Sequence, residues 1–253
     1  MLENYIRAQK KHKDILLMTH IVLGYPDFQS SIQLARTMVR AGVDLMELQI
    51  PFSEPIADGP IILKACQDAL QNGASVAGCL ETATEITSSL DIPFLFMSYY
   101  NILFAHQVRR FTETAAKCGI RGMIVPDAPP EEAQDYLQAM TTNGLAPIQL
   151  YSPNTPDNRM RHLAGFAKGF IYCVARKGVT GQKTAFTREL DDYLARCRRA
   201  TNLPLALGFG VKDKNDIDYL KGKVDIAVVG SSALKVLNEK GISQVGDYIS
   251  SLR

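Results

Sequence analysis

The sequence predicts an α/β protein, a (β/α)8 TIM barrel with short extra helices forming one catalytic domain over residues 1–253. Three observations predict it. Short apolar runs alternate with longer segments of helical spacing from end to end, in roughly eight units. Most of those runs are continuously apolar rather than alternating, as parallel strands covered on both faces require. No Pro/Gly/Ser-rich linker interrupts them, and 253 residues is a usual length for a closed barrel. A doubly wound open sheet is the alternative, but no glycine-rich nucleotide fingerprint follows the first run.

The expected strands occupy residues 15–23, 43–50, 92–99, 122–127, 146–151, 169–175, 203–210 and 224–230. Between the first two, residues 31–42 carry a helical stripe of Ile32, Leu34, Ala35, Met38 and Val39 that stops at Gly42. Residues 131–144 read as a helix started by Pro129-Pro130 and closed by Asn143-Gly144. The basic stretch from Arg7 to Lys13 reads as a solvated helix face.

Composition narrows the function classes. A net charge of +2 supplies no field for nucleic acid or acidic membranes. The five cysteines are scattered without paired metal spacing, so neither a disulfide scaffold nor a zinc site is expected. A reducing, cytoplasmic setting follows, since no apolar run spans a bilayer and the first residues lack a signal peptide's apolar core.

Barrel enzymes carry their chemistry at the C-terminal ends of strands and in the loops that follow. The richest such passage is the second strand and its loop, residues 47–60. Glu47 interrupts an apolar strand between Met46 and Leu48, and parallel barrel strands have no wet face to receive it. A carboxylate there is costly unless paired or functional, and a desolvated one suits general acid–base work. Asp58, ahead of Gly59-Pro60, could simply cap the next helix. Paired with Glu47 at the same strand end it becomes the second catalytic candidate, because two carboxylates in different surroundings can hold different protonation states.

Glycines mark a second cluster. They lie in residues 177–181, at Gly208 and Gly210, and at Gly230 before Ser231-Ser232. Each alone is an ordinary strand-to-helix turn, but together they fit a phosphate cradle of close backbone and helix N-terminal N–H groups. Asp127, Tyr99 and Tyr172 read as strand-end residues that cap, pack or meet a planar substrate. His12, His106 and His162 look peripheral, His20 reads as a satisfied core histidine, and Lys177 lacks the apolar setting of a Schiff-base lysine.

These residues carry a resemblance. ELQIPFSEPIADGP, residues 47–60, resembles the signature ELGIPFSDPxADGP of the tryptophan synthase α-subunit family. The match continues in order through FLFMSYYN (94–101), GMIVPDAPPEE (122–132), SPNTPDNR (152–159), GFIYCVARKGVTG (169–181), GFGV (208–211) and VVGSS (228–232). The resemblance implies retro-aldol cleavage of indole-3-glycerol phosphate to indole and glyceraldehyde 3-phosphate, without metal or cofactor on this chain. It assigns catalysis to Glu47 and Asp58, substrate contacts to Tyr99, Asp127, Tyr172 and Phe209, and phosphate contacts to Gly181, Gly210, Gly230 and Ser231. It also implies a tryptophan synthase β subunit as partner, carrying pyridoxal phosphate in an α2β2 heterotetramer, with Glu54 and Asn101 at partner-facing positions.

The chain departs from the family pattern at Gln49, where the signature has glycine, at Glu54, where it has aspartate, and at His20, where an aromatic residue is usual. A stand-alone indole-releasing lyase, a regulatory pseudo-subunit, and another phosphosugar barrel aldolase or isomerase remain the alternatives. Intact Glu47 and Asp58 argue against the pseudo-subunit.

Overall fold

In the computed structural model, which describes residues 2–175, 188–208 and 210–253, the apolar runs form eight parallel strands in one closed barrel, paired in sequence order with β8 returning to β1. The strands are β1 (Leu16–Val22), β2 (Leu45–Gln49), β3 (Phe94–Met97), β4 (Gly122–Ile124), β5 (Ala146–Tyr151), β6 (Ile171–Val174), β7 (Leu205–Gly208) and β8 (Ile226–Val229). The helices among the described residues are α1 (Leu2–Gln9), α2 (Phe28–Arg40), α3 (Pro60–Gln71), α4 (Val76–Ser89), α5 (Tyr100–Ala105) and α6 (Val108–Lys117). They continue as α7 (Gln134–Thr142), α8 (Asp157–Ala164), α9 (Arg188–Ala200), α10 (Lys214–Leu220), α11 (Ser231–Lys240) and α12 (Ile242–Ser251). None of these helices is long and apolar enough to cross a membrane.

Strand side chains sort by parity, because successive residues point to opposite faces. Leu16 and Met18 of β1, Leu45 of β2, Leu95 of β3 and Ile148 of β5 fill the barrel interior, and Leu2 and Ile6 of α1 join that cluster. Leu17 and Ile21 of β1, with Met46 and Leu48 of β2, belong instead to the core between sheet and helices. There they meet Ile32, Leu34, Ala35 and Met38 of α2, the expected stripe. Helix α2 starts where Asp27 accepts a hydrogen bond from the Ser30 N–H at 2.7 Å, which satisfies one of the free amides of its first turn.

Three expectations are corrected. The helix expected over residues 131–144 begins only at Gln134; the chain after Pro130 first makes a turn in which the Glu132 N–H meets the Pro129 carbonyl. Helix α1 ends at Gln9, so Lys10 to Lys13 lie beyond it rather than on a helix face, and Lys13 pairs with Asp44. Strands β3, β4 and β7 end at Met97, Ile124 and Gly208, and Tyr172 is the second residue of β6, so Tyr99 and Asp127 stand in loops and Tyr172 does not end its strand. The apolar runs overestimate strands because the residues leading to a buried site are apolar too.

Candidate functional site

Parity and register assemble the site. Counting in twos from Leu16 and Met18 puts His20 inside the barrel; counting from Leu45 puts Glu47 and Gln49 there. β1 and β2 pair His20 directly with Glu47, so two inward side chains stand side by side on neighbouring strands. Glu47 is 2% exposed and His20 is 4% exposed. Nδ1 of His20 lies 2.9 Å from Oε2 of Glu47, while Oε1 of Glu47 and Nε2 of His20 are buried without a hydrogen-bond partner. A buried acceptor left open costs roughly 1–3 kcal/mol, which is the state of a group waiting for a ligand.

The electrostatics of His20 are decided by competition. Burial pushes the imidazole's affinity for a proton down. The hydrogen bond to Glu47, the Glu47 charge, the Asp58 charge and the Gln49 side chain together outweigh it and raise the pKa above the ordinary histidine value. The expectation of a satisfied core histidine is therefore half right: one ring nitrogen is paired, and its partner is the candidate acid–base group.

Asp58 comes from the loop after β2. It does not cap α3; Gly59 occupies that position and Pro60 opens the helix. Its Oδ2 instead accepts from Nε2 of Gln49 at 2.7 Å and from the Tyr99 hydroxyl at 3.1 Å. The same Tyr99 oxygen accepts the Ala57 N–H at 3.0 Å, and the Tyr99 ring stacks on Phe52 at 5.2 Å between centroids. Tyr99 thus fixes the loop and the carboxylate from behind. Burial first and Asp58 second push its phenol well above the usual range, which keeps it a donor.

Glu47, Asp58 and His20 open into one cavity of ≈ 940 Å³, mouth included, whose remaining wall is mostly apolar, with Ile62, Met97, Ile124, Leu150 and Val174. Such a wall with a few convergent polar groups suits a planar aromatic ligand. Tyr172 lines the same cavity; burial first, then the charges of Glu47 and Asp58, raise its phenol.

The other expected residues divide. Gly230 is the N-cap residue of α11 and Ser231 its first residue, so free helix N–H groups lie at the end of β8. A Cβ built on Gly230 would stand 3.4 Å from the Cβ of His20, which puts that helix start next to the site. Gly210 adopts φ 103°, a left-handed conformation in the loop after β7 that favours glycine. Asp127 spends its carboxylate on the Tyr100 N–H, at 2.9 and 3.1 Å, and so caps α5; neither it nor Tyr99 is among the residues lining the cavity. Glu54 and Asn101 are exposed. Gly181 and Phe209, with Lys177, lie outside the described residues.

The residues underrated from sequence are His20 and Gln49. Both were visible as departures from the family pattern, and strand parity was the signal that would have turned both side chains into the barrel.

Comparison with known proteins decides the family. The family model described as tryptophan synthase alpha chain matches residues 6–248. The chain belongs to the tryptophan synthase alpha chain family. A tryptophan synthase alpha chain of Syntrophotalea carbinolica is 61% identical over 253 residues, covering 100% of both chains. One from Desulforapulum autotrophicum is 59% identical over 252 residues, again covering 100% of each. Among solved structures, the Pyrococcus furiosus tryptophan synthase a2b2 complex contains a chain that matches with a TM-score of 0.88 at 30% identity, covering 94% of this chain and 97% of that one. An aminoacrylate-bound tryptophan synthase of Mycobacterium tuberculosis matches with a TM-score of 0.90 at 25% identity, covering 99% and 97%. Alpha chains cleave indole-3-glycerol phosphate in tryptophan biosynthesis, so the protein is a carbon–carbon lyase.

Proposed function

We propose that Glu47 is the acid–base group of the cleavage and Asp58 the group that receives the indole N–H. The observation that carries this reading is the pair itself. Two carboxylates meet in one largely apolar cavity at the C-terminal end of β2, each with one oxygen held by a neighbouring side chain. In a retro-aldol cleavage the indole leaves as a carbanion equivalent, so C3 of the ring gains a proton while the side-chain hydroxyl loses one. Oε1 of Glu47, buried and unpaired, is suited to both transfers. Asp58, fixed by Gln49 and Tyr99, opposes the positive charge that builds at the ring nitrogen. These are proton transfers between carboxylates and substrate, so the reading needs no cofactor or metal on this chain.

Phosphate is assigned to the starts of loops seven and eight, at Gly210, Gly230 and Ser231, with Gly181 from the sequence motif. The N-terminus of α11 supports the assignment through its free amides and dipole. The partner is assigned as the tryptophan synthase β subunit in an α2β2 assembly, with pyridoxal phosphate on β. The two exposed large hydrophobics among the described residues, Ile56 at 67% and Phe104 at 69%, support a partner-covered face, since they share loop two and α5 with Glu54 and Asn101. The five free, buried cysteines suit a reducing compartment such as the cytoplasm.

An indole-release assay on the purified chain with indole-3-glycerol phosphate tests the reading. Indole and glyceraldehyde 3-phosphate should appear in equal amounts. A lysine adduct trapped by borohydride would replace this reading with a Schiff-base aldolase.

A further inference from the structure

Both inward departures from the family signature touch a candidate catalytic carboxylate: His20 holds Glu47, and Gln49 holds Asp58. Gln49 donates through Nε2, which fixes its amide orientation and leaves Oε1 as an unpaired acceptor; Nε2 of His20 is likewise unpaired and buried. A histidine and a carboxylate at 2.9 Å, both nearly excluded from water, form a unit that binds protons together.

We propose that His20 is the positioning residue of Glu47 and that the two side chains hold one proton between them at the start and end of every turnover. The proposal rests on the reading of Glu47 as the acid–base group. The hydrogen bond from Nδ1 turns Oε2 away from chemistry and leaves Oε1 as the reacting oxygen. One proton leaves the pair through Oε1 for C3 of the indole ring. The bond between C3 and the hydroxyl-bearing carbon then breaks, and its electron pair passes into the ring. That carbon becomes the aldehyde carbonyl, and its hydroxyl proton returns to the pair. Atoms and charge balance with no other reactant. The imidazole keeps that proton one hydrogen bond from the carboxylate that delivers it.

Among the described residues, the charged groups facing His20 are Glu47 from β2 and Asp58 from loop two, and both favour the charged imidazole. Tyr172 on β6 faces both carboxylates as a neutral phenol. Just past β8, Gly230 stands beside His20, and Ile62 of α3 lines the same cavity; neither titrates.

Two measurements test the proposal. The first is the pH profile of kcat/KM for indole-3-glycerol phosphate in wild type, His20→Phe and His20→Asn. The alkaline limb should move down by about one pH unit or more in His20→Phe, with kcat falling about tenfold at pH 8 and KM nearly unchanged. His20→Asn can donate to Oε2 but cannot hold a proton, so it should regain activity at low pH while keeping the shifted limb. An unshifted limb in both variants would overturn the proposal. The second is an NMR titration of the His20 ring. It should titrate above an ordinary histidine in wild type and fall by about one unit or more in Glu47→Gln; an unchanged His20 titration would overturn the pairing. That titration needs no turnover, so a chain that fails to cleave substrate at any pH would sink the catalytic reading separately from the pair.

Discussion

At the scale of the residue, burial does most of the explaining. Glu47 could be singled out from sequence because a carboxylate inside a parallel strand has few structural uses. Its partner could not, because a hydrogen bond between residues 20 and 47 depends on strand register, which the apolar pattern of either strand leaves open. The pair also has a thermodynamic signature. The pKa of His20 is raised in the folded state, so folding takes up a proton there. The stabilisation it contributes is complete below its unfolded value of about 6.5 and is lost as pH rises through the higher folded value. The stability of wild type relative to His20→Phe should therefore decline as pH rises from about 6.5 through the higher folded value in denaturant unfolding. A difference that stays constant, or grows, across that range would mean the imidazole is not charged in the fold.

Elements position these residues, and their ends were the least legible part. The strand cores were readable because continuous apolar runs admit few alternatives, but strand ends lie where apolar chain turns toward the cavity, and Tyr99 and Asp127, expected to end strands, stand in the loops beyond them. Their hydrogen bonds to loop two and α5 are contacts between loops, for which a strand-and-helix pattern gives no signal. At the end of β7, Gly208 is required by close approach: a Cβ there would lie 2.5 Å from the Tyr172 hydroxyl and 2.7 Å from its Cζ. Gly208→Ala must displace the ring, and the cavity that Tyr172 lines is the space available to it. Substrate binding should weaken about tenfold, roughly 1.4 kcal/mol, while the Tm changes little. A KM equal to wild type would show that the ring finds another place.

At the scale of the molecule the barrel has a holding end and a working end. Asp44, 2% exposed just before β2, accepts the Leu17 N–H at 2.8 Å and an ion pair from Arg253 at 2.7 Å, and also pairs with Lys13. It ties β1 and both termini together at the face opposite the cavity. Asp44→Ala should cost about 1–3 kcal/mol, the consequence of a buried amide left unpaired, because both cations are exposed enough to rehydrate. Per-molecule activity should stay near wild type, as expected for the stability face of a barrel; a large loss of kcat in the folded variant would contradict that division. At the working end, loop two carries Asp58 beside the exposed Ile56 and Glu54. A β subunit that orders this loop should raise indole release at least about tenfold, or roughly 1.4 kcal/mol of barrier. Glu54→Ala should blunt that rise more than it harms the isolated chain. An isolated chain already fast and indifferent to β would point to a stand-alone lyase.

The most direct test of the account is indole release from indole-3-glycerol phosphate by Glu47→Gln and Asp58→Asn beside wild type, with folding checked by circular dichroism. Glu47→Gln keeps the side chain's shape and removes its proton transfer, and Asp58→Asn removes the charge that opposes the developing cation. Each variant should remain folded and lose at least about a hundredfold in turnover. Near-wild-type release by folded Glu47→Gln would contradict the assignment of the chemistry to that carboxylate.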